Sequence, residues 1–220
     1  MEEYLNATYF IEKDHPQIKE FSRILCQGKK TDIDRAVSMY YGVRDKIRYN
    51  PYAIEPDKGS MRASTILERK EGYCVAKAVM LAACLRSQAI PARLGFADVR
   101  NHLVTGRLKD MMGTDLFIWH GYTDIFLDGT WVKATPAFNL SLCEAFKVKP
   151  LEFDGTCDSV FHPYDALGNR HMEYVRDHGT FADLPWQRIL ENCLKAYPEY
   201  FKALGRETAD FRAEAEAENS

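Results

Sequence analysis

Residues 74–88, Cys-Val-Ala-Lys-Ala-Val-Met-Leu-Ala-Ala-Cys-Leu-Arg-Ser-Gln, constrain this chain more than any other segment. Alanine, leucine and methionine favour helix, and a helix that is apolar nearly all round has to be buried by its neighbours. Pro91 forbids its continuation, because proline lacks the backbone N–H and clashes with the preceding turn. The apolar run is bounded by Glu71 and Arg86 and falls short of the roughly 20 residues that a membrane span requires. The rest of the chain is therefore expected to wrap around one central helix, with no membrane partner.

The flanking sequence supplies the wrapping. Ile18, Phe21, Ile24 and Leu25, then Ile33, Val37, Tyr40, Val43 and Ile47, follow a three- and four-residue spacing that predicts two amphipathic helices between residues 15 and 49. Thr31 with an acid at Asp34 starts the second, Gly28 closes the first, and Asn50-Pro51 ends the second. Residues 60–70 read as a short third helix. After Pro91, residues 92–99, 116–127 and 130–135 carry the β-branched and aromatic side chains of strands. Asp128-Gly129 makes the last two a hairpin. Further on, residues 141–148 read as a short helix, 152–183 as irregular and polar, 186–197 as a helix, and the Ala/Glu-rich end as frayed. Helices first and antiparallel strands after them give the α+β class.

A chain of 220 residues can build one core without staples. No repeat and no Gly/Ser/Pro linker divides it, so a single domain is expected over 1–205, with 206–220 a disordered tail. Lys+Arg 29 against Asp+Glu 32 gives a formal charge of −3 without long blocks of either sign, which predicts no nucleic-acid or bilayer footprint. The first residues are acidic where an export signal is basic. Six scattered cysteines (Cys26, Cys74, Cys84, Cys143, Cys157, Cys193) without CxxC spacing suggest reduced thiols in the cytoplasm.

Cys74 is the residue that most invites chemistry. It follows a glycine-containing turn and opens the central helix, where unpaired N–H groups and the positive end of the helix dipole stabilise a thiolate. The ordinary alternative is a small buried hydrophobe, which is the reading for Cys84 on the same helix. A thiol nucleophile needs a base within reach, and His120, inside the strand Phe-Ile-Trp-His-Gly-Tyr-Thr-Asp, is the best placed. Its orienting partner is expected from the next strand, at Thr135 or less directly at Asn139. Asp124 shares a face with His120 but lies about 13 Å further along, too far for a hydrogen bond. The Cys74 N–H would form part of an oxyanion hole, with its second donor open. His162, His171 and His178 stand at intervals that place no two on adjacent turns of one helix, so they read as surface or loop histidines and no metal is expected. No phosphate-loop or dinucleotide motif occurs, and no cofactor is expected.

Taken together, Glu-Gly-Tyr-Cys74 with its helix, Ala78, Ile90-Pro91-Ala92-Arg93, the strand histidine His120, Asp124 and Trp131 on the following strand resemble the transglutaminase-like superfamily, particularly its bacterial cysteine-protease members. The resemblance spans about residues 40–138, with 139–205 as an extension. It implies a papain-like, transglutaminase-core fold, N-terminal helices with a central helix packed on an antiparallel sheet, Cys74 as nucleophile and His120 as base. The family usually writes Trp-x-x-x-Asp-Pro where this chain writes Trp131-Val-Lys-Ala-Thr135-Pro136, so the triad aspartate position holds Thr135. A hydroxyl can fix the imidazole tautomer but cannot stabilise its cation as a carboxylate does. Asn139, or Asp154, Asp158 or Asp165 folding back, are the alternative third members. The resemblance implies a hydrolase of a peptide, protein or small amide substrate through a Cys74 thioester. The rival is a catalytically impaired form of the same fold that binds a protein or peptide.

Overall fold

The computed structural model describes residues 1–102, 104–161, 172–203 and 210–219. In chain order the elements are α1 (Pro16–Leu25), α2 (Asp32–Lys46), β1 (Arg48–Tyr49), α3 (Ala63–Arg69), β2 (Glu71–Gly72), α4 (Cys74–Ser87), β3 (Ala92–Asn101), α5 (Gly106–Met112), β4 (Leu116–Leu127), β5 (Thr130–Ala134), α6 (Leu140–Ala145), β6 (Met172–Phe181), α7 (Trp186–Ala196), α8 (Pro198–Ala203) and α9 (Phe211–Glu218). Strands β5-β4-β3-β6 form one antiparallel sheet, in that order, and β1 pairs with β2 in a small parallel one.

The helix α4 occupies the centre, as its composition requires. Every residue from Cys74 to Arg86 is buried. Helices α1, α2 and α3 pack on one side of it, and β3 and β4 on the other. Its two charges are buried as well, and each is answered by main-chain oxygens. Lys77 Nζ donates to Arg44 O at 2.8 Å and Ile47 O at 2.6 Å, closing the carbonyl end of α2. Arg86 donates to the carbonyls of Asn6, Ala92 and Ala182, tying the first residues and the segment after β6 to the core. Such donors satisfy oxygens that would otherwise be buried unpaired.

The local signals are realised in place. Thr31 Oγ1 accepts from Asp34 N while the Asp34 carboxylate accepts from Thr31 N, a complete capping box. Asp128 and Gly129 adopt positive φ (47° and 84°), the left-handed pair that a tight hairpin turn needs. Helix and sheet meet closely at Gly121, where an added Cβ would lie 2.9 Å from Val75 Cα. Thr123 Oγ1 donates to Ala78 O at 3.0 Å on the same face.

Two expectations are corrected. The segment read as irregular contains β6, which completes the sheet beside β3. The end read as frayed carries α9, capped by the Asp210 carboxylate, with Phe211 and Ala215 buried and packed toward α6. Among the described residues no helix is long and apolar enough to cross a membrane.

Candidate active site

Tyr73 precedes α4 with extended backbone and no side-chain cap, so the first N–H groups of the helix stay free around Cys74. Burial pushes the Cys74 thiol up to about 11, against the backbone N–H groups of Gly121, Val75 and Cys74 itself, which favour the thiolate. The helix-terminus argument thus finds its donors, but exclusion of water outweighs them. Burial thus works against the thiolate that the helix start favours.

His120 lies on β4 directly before Gly121. It is buried, its ring edge meets Phe161 with centroids 5.9 Å apart, and its Nε2 has no hydrogen-bond partner. Burial alone lowers its pKa to about 4, so the imidazole is neutral at pH 7. Cys74 and His120 open onto one mostly enclosed cavity of about 40 Å³. Its walls include Tyr49, Leu108, Met112, Phe138, Ile189 and Tyr197.

The strand is irregular where it delivers His120. Ala97 pairs with His120 and Val99 with Phe117, so Ile118 and Trp119 oppose the single residue Asp98. This is a β-bulge, and Trp119 takes the left-handed φ of 58° that bulky residues rarely adopt. The conformation is held from several sides. Trp119 N donates to Asp98 Oδ1 at 3.0 Å, and the same oxygen lies 2.6 Å from His178 Nε2. The indole stacks on the His178 ring at 4.1 Å and 8°, and its Nε1 donates to Asn192 Oδ1 on α7 at 3.3 Å.

The candidate third members lie elsewhere or stay unjoined. Thr135 follows β5, one residue past the Ala134 to Thr123 pair, with its hydroxyl buried and unbonded. The Tyr174 phenol lies beside that hydroxyl without hydrogen-bond geometry. No hydrogen bond links Thr135 to His120. Asn139 is committed, its Oδ1 accepting from Tyr49 N at 3.0 Å and its Nδ2 donating to Ser141 Oγ at 2.8 Å. Asp154 accepts from Thr156 N and Cys157 N, and Asp158 from Lys133 N. Asp165 falls outside the described residues, as do His162 and His171. Asp124 is held by Arg93 at 2.8 Å and 2.7 Å, and that guanidinium lies 3.9 Å over the Trp131 ring.

Sequence reasoning missed Asp98, His178 and Cys193. His178, read as a surface or loop residue, is a largely buried residue of β6. Asp98 and His178 meet only through the β3–β6 register, which carries no local signal. Cys193 lines the cavity with Cys74, and the four-residue spacing from Ile189 and Cys193 on α7 to Tyr197 at its end was the sign available for it. Among the described residues no group of three or more His, Cys, Asp or Glu side chains is arranged to hold a metal.

The family described as Transglutaminase-like superfamily matches residues 19–136, a span that contains Cys74, His120 and Thr135. No curated protein matches the chain. Among solved structures, it is similar to a "Putative Cysteine Protease" from Cytophaga hutchinsonii, with 13% identity and a TM-score of 0.46, over 60% of this chain and 40% of that one. It is also similar to a "putative protease" from Parabacteroides distasonis, with 16% identity and a TM-score of 0.40, over 57% of this chain and 24% of that one. The chain thus spans less than half the length of either structure.

Proposed function

The chain belongs to the transglutaminase-like superfamily, and on that premise we propose that it is a cysteine hydrolase of amide bonds, with Cys74 as nucleophile and His120 as general base. The observation that carries this reading is that the first residue of α4 and the histidine of β4 open onto one cavity, with backbone N–H groups gathered at the sulfur. As Cys74 Sγ attacks the carbonyl carbon of a peptide or carboxamide, His120 takes the thiol proton and then gives it to the departing amine. Water cleaves the thioester, with His120 again accepting a proton. The N–H groups of Cys74 and Gly121 are the oxyanion donors, which assigns the second donor to the strand that carries the base. Thr135 occupies the family's third position in the sequence, with its hydroxyl not bonded to His120. The six unpaired thiols fit a reducing cytoplasm.

A second reading has its own observation. His120 Nε2 meets no acceptor and its pKa is lowered, so nothing stabilises the imidazolium that turnover would form. On that reading the fold binds a peptide or protein without turning it over. Single-turnover acylation by p-nitrophenyl acetate, read as p-nitrophenol release and as a thioester on the Cys74 peptide by mass spectrometry, separates the two. The hydrolase gives a burst that Cys74→Ala abolishes and His120→Ala slows by at least about 100-fold, as loss of a general base does. Equal acylation in wild type and His120→Ala would leave the binding module.

A further inference from the structure

We propose that the cavity beside Cys74 is an acyl pocket for a short, uncharged, apolar acyl group of about two to four carbons. The inference rests on Cys74 being the nucleophile and narrows its substrate to the small-amide end of the range.

Size is the first argument. A volume of about 40 Å³ is well under the roughly 150 Å³ of an apolar cavity that holds a benzene ring, which leaves room for only a few carbon atoms. A polypeptide chain or a long acyl tail does not fit without moving a wall.

The walls are the second. Tyr49, Leu108, Met112, Phe138 and Ile189 present hydrocarbon or aromatic surface to the space next to the sulfur. A carboxylate or ammonium on the acyl group would be stripped of water there with no countercharge. Peptide N–H and C=O groups would lose their hydrogen bonds in the same way. A methyl or propyl group meets neither penalty and gains contact on every side.

The third is that the wall opposite the sheet is pinned. Ile118 N donates to Tyr197 Oη at 2.6 Å and that hydroxyl donates to Leu116 O at 2.9 Å, while Asn192 receives the Trp119 indole N–H. These bonds fasten α7 across the cavity, so its size is set by the fold.

The test is acylation of the full chain by p-nitrophenyl esters of acetate, butyrate, octanoate and hemisuccinate, with the label located on Cys74 by mass spectrometry. Acetate and butyrate are expected to acylate at least about tenfold faster than octanoate or hemisuccinate, since overpacking or burying a charge costs a kcal/mol or more. Met112→Ala and Ile189→Ala each shorten a wall, and either is expected to shift the preference toward octanoate several-fold relative to butyrate. Two variants guard against one failing to fold. Equal or faster acylation by octanoate or hemisuccinate, or an order of preference unmoved in both folded variants, overturns the acyl pocket while leaving Cys74 as nucleophile. If no ester labels Cys74 faster in wild type than in His120→Ala, the nucleophile reading falls and takes the pocket with it.

Discussion

The backbone N–H of Trp119 donates to Asp98 Oδ1 at 3.0 Å, and this bond fixes the left-handed residue immediately before His120. The oxygen that receives it is also bonded to His178. Strain at Trp119 is thus held by a carboxylate from the neighbouring strand, and the direction of the His120 side chain depends on that hold.

Asp98→Ala is therefore expected to destabilise the fold by about 1–3 kcal/mol, because it leaves the Trp119 N–H and the His178 ring buried without their acceptor. Acylation of Cys74 should fall beyond the loss expected from stability alone, since the bulge that aims His120 is released. Asp98→Asn keeps an acceptor and should recover part of both. Urea unfolding measures the first effect and p-nitrophenyl acetate acylation the second. An Asp98→Ala protein that acylates at the wild-type rate would show that the bulge holds itself.

Burial of neutral His120 gives the fold an acid-side dependence. Its pKa is lowered to about 4 from an ordinary 6.5, so between those values the unfolded chain binds more protons than the folded one. Stability is full above pH 6.5 and declines as pH falls toward 4, by about 3 kcal/mol in all. His120→Phe removes the titration, and its urea midpoint should change less between pH 7 and pH 4.5 than that of wild type. A parallel decline in both proteins would assign the loss to other groups.

The central helix, its capping turns and the hairpin are legible because each is set by contacts within a few residues. Thr31 with Asp34, Asp128 with Gly129 and the Ala/Leu run after Cys74 are local statements about backbone and solvent. Cys74 and His120 could be singled out as candidates because the start of a helix and the middle of a strand are positions that chemistry uses. β6 was not legible. It is an edge strand, mostly exposed, with a positive-φ Gly179 and register shifts that break its two-residue period. Asp98 and His178 could not be paired without it. The donors around Cys74 can be read from sequence as a helix start, but the walls that exclude water from it come from α5, α7 and residues far along the chain.

Gly121→Ala tests the junction of helix and sheet. Its new Cβ would sit 2.9 Å from Val75 Cα, a main-chain atom rather than the end of a flexible side chain, so one element has to shift. A cost of about 1–3 kcal/mol is expected, together with slower acylation, because the shift separates the Gly121 N–H from the sulfur and from the oxyanion position. Thermal unfolding and ester acylation report the two effects. Unchanged acylation in a destabilised protein would remove Gly121 from the oxyanion assignment and leave it a packing residue.

Tyr197 carries the last test, because one hydroxyl joins the residue that ends α7 to two main-chain groups of β4. Tyr197→Phe keeps the ring in the cavity wall and removes only the oxygen that accepts from Ile118 N and donates to Leu116 O. The expected cost is about 1–2 kcal/mol, the usual loss for a partly buried donor and acceptor left without a partner. Cys193 sits on the same helix, facing the same cavity as Cys74. If α7 is the wall that keeps water from both sulfurs, loosening it should raise iodoacetamide labelling of Cys74 and Cys193 together, while Cys84, buried in the middle of α4, stays as slow as before. Labelling followed by peptide mass spectrometry at pH 8 reads all three in one experiment. A rise at Cys193 alone would mean that the helix moves without uncovering Cys74, and the barrier at Cys74 would then lie with α5 and the Tyr49 side of the cavity.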